Sequence, residues 1–270
     1  MVSIRAAVMP GRPRLMRDSS AVRWLGRVAL HAFDTLFPPV CVGCGAGLDG
    51  GAVPVCSVCR LRLPALSPPY CARCGATRYG ALLFARGCTE CAAWSESLVR
   101  AASPYRMDGL ALRLVHALKY EGWTALAPFM GRCMAHAARR LGGEPQAVLV
   151  PVPLAPSRLR ERGFNQAELL AAGVSAATGW PAAALLRRRR PARQQARLGR
   201  SRRVDNVRDL FAALPGAGGW ERPVLLVDDV ITTGATAAAC ARAISAAGLE
   251  FAGVISFARA IRRIEIEDER

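Results

Sequence analysis

The chain has 270 residues, 52% hydrophobic and 21% charged, proportions that exclude disordered, collagen-like and low-complexity classes. Its 37 basic against 20 acidic residues give a net charge of +17, and Lys119 is the only lysine, all other basic residues being arginine. No run approaches the roughly 18 apolar residues of a membrane span; the nearest, Ala171 to Leu186, is broken by Gly173, Gly179 and Pro181, so no membrane span is expected.

Residues 1–40 read as a basic leader followed by an amphipathic helix, SAVRWLGRVALHAFDTLF, with Ser20 as its N-cap and Pro38 and Pro39 as its stop. This leader helix is expected to pack against the next domain instead of lying on a membrane surface. The leader carries charges, glycine and proline where a secretory signal has an apolar core, which predicts a cytoplasmic protein with reduced thiols. Residues 41–95 hold eight of the ten cysteines in four C-x2-C pairs, arranged as an internal repeat, with Gly45 and Gly75 closing the first knuckle of each half. This stretch has too few apolar residues to fold on a core of its own. Four soft thiolates close a tetrahedral shell and leave no place for water, so the spacing predicts two structural Zn2+ sites. Sequential pairing assigns Cys41, Cys44, Cys56 and Cys59 to one and Cys71, Cys74, Cys88 and Cys91 to the other. Interleaved pairing, redox cysteines and an iron–sulfur cluster are the alternatives. Cys133 and Cys240 stand alone in apolar segments and read as small core residues.

From residue 97 to 262 apolar strands alternate with helical stretches, ahead of a charged tail at 263–270. Strands are expected in SLVRAASPY, AVLVPVPL, AALL, PVLLVDDV and FAGVISFA. Helices are expected between Leu110 and Leu141 with a break near Gly122, in GFNQAELLAAGVSAAT, and in GATAAACARAISAAG. This alternation predicts an α/β fold built on a parallel sheet with flanking helices, with ligands beyond the carboxyl ends of the strands. Residues 187–208 carry +9 of the net charge and read as a loop attractive to polyanions, although no aromatic residue there offers a base-stacking surface.

The sharpest motif is VLLVDDVITTGAT, from Val224 to Thr236. A buried strand ends in Asp228 and Asp229, and Thr232, Thr233, Gly234, Ala235 and Thr236 form a small-residue turn into a helix. Free backbone N–H groups and hydroxyls at a helix N-terminus cradle a phosphate, and two carboxylates beside them suit ribose hydroxyls. The motif resembles the phosphoribosyl-diphosphate (PRPP) loop of type I phosphoribosyltransferases. Together with VPVPLAPSRLRERGFNQAELLA, the ALKYEG segment, and Gln195, Leu198, Arg203, Asn206 and Phe211, the chain resembles the ComF family, competence-associated phosphoribosyltransferase-like proteins with an N-terminal double zinc ribbon.

The resemblance implies PRPP as ligand with Mg2+, and places the grip on its pyrophosphate in the loop Leu154 to Arg162, on Ser157, Arg158, Arg160 and Arg162. Lys119 is a possible further phosphate contact, and residues 187–208 take the place of a hood over the active site. It further implies transfer of phosphoribosyl to an unidentified nitrogenous acceptor, in the context of competence and DNA uptake. Thr232 stands where hypoxanthine–guanine-type loops carry a carboxylate near the base. The alternative is a non-catalytic protein handling single-stranded DNA that uses PRPP as a ligand or only retains the fold. Asp228 and Asp229 are expected to face solvent in the free protein.

Overall fold

The structure, a computed structural model, describes residues 39–48, 53–77, 88–142, 146–189 and 210–261. The expected leader helix, the charged tail and most of the basic segment, Gln195 to Asn206 included, lie outside them.

The elements in chain order are α1 (Ser57–Leu61), β1 (Ala101–Ala102), β2 (Tyr105–Arg106), α2 (Gly109–Tyr120), α3 (Ala127–Gly142), β3 (Val148–Pro151), α4 (Pro156–Arg162), α5 (Gln166–Thr178), β4 (Leu186–Arg188), β5 (Phe211–Ala213), β6 (Val224–Ile231), α6 (Ala235–Ala246) and β7 (Phe251–Arg259). β6 and β7 are central, flanked by β3 on one side and by β1 and β2 on the other, with every pairing parallel. The expected parallel α/β sheet is therefore observed. SLVRAASPY, read as one strand, forms two short ones separated by Ser103 and Pro104, because proline supplies no ladder donor. The break between α2 and α3 falls where expected, Gly122 having a φ of +72°.

Side chains along the strands alternate between two cores, as a period of two requires. On one face Leu149, Leu225, Val227, Ile255 and Phe257 pack with α2, α3 and α5; on the other Val148, Val150, Val224, Leu226 and Val254 pack with α6. α3 and α5 touch backbone to backbone at Gly131 and Gly173, where a Cβ on Gly131 would lie 2.5 Å from the Gly173 carbonyl carbon.

The cysteine repeat straddles this sheet. Cys41, Val42, Val55, Cys59 and Leu63 belong to the first core, whereas Cys71, Cys74, Cys91, Trp94 and Leu98 belong to the second. A ribbon segment poor in apolar residues thus gains its core by sharing the sheet's.

The stretch 154–162, expected to be a loop, is helical from Pro156 to Arg162. Pro156 starts the helix with its φ preset, and Gly163, at a φ of +80°, ends it. The arginine run begins in a strand instead of a loop, β4 pairing antiparallel with β5. Among the described residues, no helix is long and apolar enough to cross a membrane.

Candidate functional site

β6 delivers its carboxylates to the carboxyl end of the sheet. There Met107, Lys119, Val152, Pro153, Leu154, Gln166, Arg188, Asp228, Asp229, Val230, Thr232 and Thr236 line a cleft of 390 Å³. The two aspartates are not alike. Asp229 is buried at 3% exposure, against the expectation of a solvent-facing carboxylate, and its Oδ1 accepts an ion pair from Lys119 Nζ at 2.9 Å. Its Oδ2 is buried with no hydrogen-bond partner, an acceptor left open. Asp228 is half-buried, and its Oδ1 accepts from the Asp229 amide at 2.8 Å. Burial and the Asp229 charge push its carboxyl up to about 8, because a second negative charge in a poorly hydrated site opposes ionisation. The single lysine thus holds a carboxylate of the motif, 110 positions along the chain, and at the same time lines the cleft.

The turn after β6 is exposed at Thr232, Thr233, Ala235 and Thr236. Gly234 caps α6 with a φ of +75°, and no side chain of that cap residue occupies the first N–H groups, which leaves them open to an anion. The only local partner is a long bond from the Ala235 amide to Thr233 Oγ1 at 3.4 Å. Gly234 is required from below: a Cβ there would meet Leu98 at 2.7 Å and Trp94 at 3.1 Å. The close approach is thus made by Trp94 and Leu98, at and just after the end of the cysteine-rich segment, on which this turn rests.

The basic residues expected at the pyrophosphate fall on the short helix α4, and none of Ser157, Arg158, Arg160 and Arg162 lines the cleft. Arg158 is exposed and paired with Glu161 at 2.9 Å. Arg162 donates from Nη1 to Oε1 of the cleft-lining Gln166 at 2.8 Å and lies 5.0 Å from the Tyr120 ring centroid, with its Nε buried and unpartnered. Gln166 and Arg188 line the cleft instead. Asn165 positions Gln166 by capping α5 through the Ala167 amide at 3.1 Å while its Nδ2 donates to the Val152 carbonyl at 3.2 Å. GFNQ carries that signal in the sequence, an asparagine cap followed by a polar first residue. Arg188 has no such local mark.

The eight cysteines gather into the two expected tetrads in sequential pairing, the sulfurs of each lying within 4.8 Å of one another. The Cys44–Cys56, Cys74–Cys88 and Cys71–Cys91 separations are 3.8, 3.7 and 3.9 Å. A tetrahedron of about 2.3 Å Zn–S bonds has edges of about 3.8 Å, so the donor set fits zinc. The thiols within each tetrad differ: although burial works against it, backbone hydrogen bonds lower Cys41 to about 6 and Cys71 to about 7. Burial pushes Cys59 up to about 12 and Cys91 up to about 11, with neighbouring thiols adding to each; a divalent ion removes that obstacle to four thiolates. At the second tetrad burial raises Cys74, partly opposed by Arg259. Arg259 is fully buried, 4.5 Å from the Trp94 ring centroid, with its Nε and Nη1 unpartnered, a cation set beside an anionic thiolate cluster. Cys240 is buried, as expected, and Cys133 is half-buried.

Residues 32–93 match the family model of the double zinc ribbon domain. The chain carries a double zinc ribbon. Over 136 residues the chain is 35% identical to the DNA utilization protein YhgH of Escherichia coli (strain K12), a match covering 48% of this chain and 58% of that protein. The protein of the same name in Salmonella typhi is also 35% identical over 136 residues, with the same coverage. The matches therefore span less than two thirds of these relatives. Ribbon and relatives bear out the resemblance to the ComF family. Among solved structures, one described as the allosteric regulatory enzyme of purine biosynthesis is similar at 21% identity over 47% of this chain and 25% of that one, with a TM-score of 0.31. That likeness is too low to bear on this chain's function.

Proposed function

We propose that this is a phosphoribosyltransferase-like protein of the cytoplasm that binds PRPP with Mg2+ in the cleft at the end of β6. The observation that carries the reading is the pair Asp228 and Asp229 opening onto the same cleft as the uncapped turn Thr232 to Thr236. The turn would take the 5-phosphate on backbone N–H groups and threonine hydroxyls. Asp229 Oδ2, buried and unpartnered, and Asp228 would accept from the ribose hydroxyls. Arg188 and Lys119, the cations lining the cleft, would face the pyrophosphate in place of the α4 arginines.

Asp228, half-buried on the cleft wall, is the hard oxygen donor that would hold Mg2+, the ion offsetting the burial and the Asp229 charge that raise its carboxyl; when bound, the ion neutralises charge on the departing pyrophosphate. Lys119 holds Asp229 in place through their 2.9 Å ion pair, and Arg188 would stabilise charge as it develops on the leaving group. The acceptor would be a nitrogen nucleophile that displaces pyrophosphate at the anomeric carbon of the ribose. The name of the relatives, DNA utilization proteins, supports a role in DNA handling or uptake, with single-stranded DNA or competence machinery as partner.

Calorimetric titration of PRPP with Mg2+, with and without single-stranded DNA, followed by a pyrophosphate-release assay over candidate acceptors, tests the reading. Binding that disappears in Asp228→Asn/Asp229→Asn supports it. No binding by the zinc-loaded wild type, or undiminished binding by the double variant, overturns it.

A further inference from the structure

The arginine run at the start of the expected hood divides across β4. Arg188 lines the front cleft, while Arg187 and Arg189 line a second cleft of 650 Å³. Successive residues of a strand face opposite ways, so the β4–β5 ribbon presents one guanidinium to the first cleft and two to the other. The second cleft is completed by α6, with Arg242, Ala243 and Ala246, and by Ser95 from the end of the zinc ribbon.

Three features give this cleft a chemistry. Arg187 and Arg189 are exposed, no carboxylate lines the cleft among the described residues, and neither these two nor Arg242 takes part in an ion pair there. Arg242 donates to Ser97 Oγ at 3.5 Å, and its Nε is buried without a partner. The alanines of α6 leave room for a ligand to approach the helix closely. Three like charges around one concavity repel each other unless an anion sits among them, and guanidinium forks match phosphate oxygens. Phe211 also borders the cleft but is buried at 4% exposure, with Arg188 5.5 Å from its ring centroid, so no aromatic face is free to stack a base.

We infer that this cleft is a second anion site, for a ligand carrying two or more phosphate groups and recognised through those groups alone. It lies across the β4–β5 ribbon from the PRPP cleft and does not depend on the reading of that cleft. The phosphates come either from a free polyphosphate, such as a nucleoside triphosphate, or from the backbone of a single strand.

The test titrates the full-length, zinc-loaded protein with inorganic tripolyphosphate and, separately, with a short oligothymidylate. In Arg187→Gln/Arg189→Gln the affinity for one or both probes falls about a hundredfold, roughly tenfold per guanidinium removed, while thermal unfolding matches wild type because both side chains are exposed. Arg187→Lys/Arg189→Lys keeps the charge and recovers part of the loss. Arg62→Gln, which removes an exposed guanidinium that lines neither cleft, leaves both affinities unchanged. Loss of tripolyphosphate binding alone assigns a free polyphosphate, and loss of oligonucleotide binding assigns the strand. Wild-type affinity for both probes in the double glutamine variant, or no binding of either by the wild type, overturns the inference. A wild type that fails to bind PRPP overturns the front-cleft reading and leaves this one standing.

Discussion

Asp228→Asn separates what the cleft costs the fold from what it gives the ligand. The substitution keeps the side-chain oxygen that accepts from the Asp229 amide at 2.8 Å and removes only the ionisable group. In the folded protein the Asp228 carboxyl is raised from 3.8 to about 8, first by burial and then by the Asp229 charge. A carboxyl raised on folding leaves stability untouched below its unfolded value and reduces it as pH climbs, until the folded value is passed. Between those limits the folded state holds one more proton than the unfolded one, so wild type loses about 1.4 kcal/mol per pH unit relative to the variant. At pH 7 the gap has an upper limit on the order of 4 kcal/mol, reduced to the extent that water enters the half-open cleft. The assay is urea unfolding of both proteins, zinc-loaded, at pH 6, 7 and 8, where the zinc contribution common to both cancels in the difference. The variant is expected to be the more stable, by a margin that widens with pH, while losing PRPP binding. A variant less stable than wild type at pH 8, or a margin independent of pH, refutes the reasoning.

Lys119→Met strands the Asp229 carboxylate, which is 4% exposed on its side chain; unfolding should show a loss approaching the ~3–5 kcal/mol of a broken buried pair, lessened because Lys119 is itself 20% exposed. Elemental analysis should find two zinc ions per chain, and chelation should abolish PRPP binding as well as ribbon structure, because Trp94 and Leu98 lie directly under Gly234; a chelated protein that still binds PRPP normally would show the turn to be independent of the ribbon. Arg188→Gln should weaken PRPP binding about tenfold or more, as loss of a charge-assisted contact does, whereas Arg187→Gln should not; equal effects in titration calorimetry would contradict their assignment to opposite faces.

The features legible in the sequence are those written at short range. C-x2-C spacing specifies thiolate pairs on one knuckle, and the run of apolar residues ending in Asp228 and Asp229, then small residues, specifies a strand, an anion turn and a helix. The parallel sheet follows from strands alternating with helices. What the local pattern did not show was the conformation of the expected pyrophosphate grip: a proline start and a glycine stop wind Ser157, Arg158, Arg160 and Arg162 into α4, and none of them lines the cleft.

Tertiary structure alone decided the rest. It brought Lys119 to Asp229 and buried that carboxylate, a contact between α2 and β6 that no spacing encodes. It set the two halves of the cysteine repeat on opposite faces of one sheet, because a segment poor in apolar residues is stable only against a core borrowed from elsewhere. It also made a strand of residues read as a loop, and so divided neighbouring arginines between two clefts. The sequence states which groups are available; which of them meet is set by the burial of apolar side chains far from the site, and that burial belongs to the whole fold.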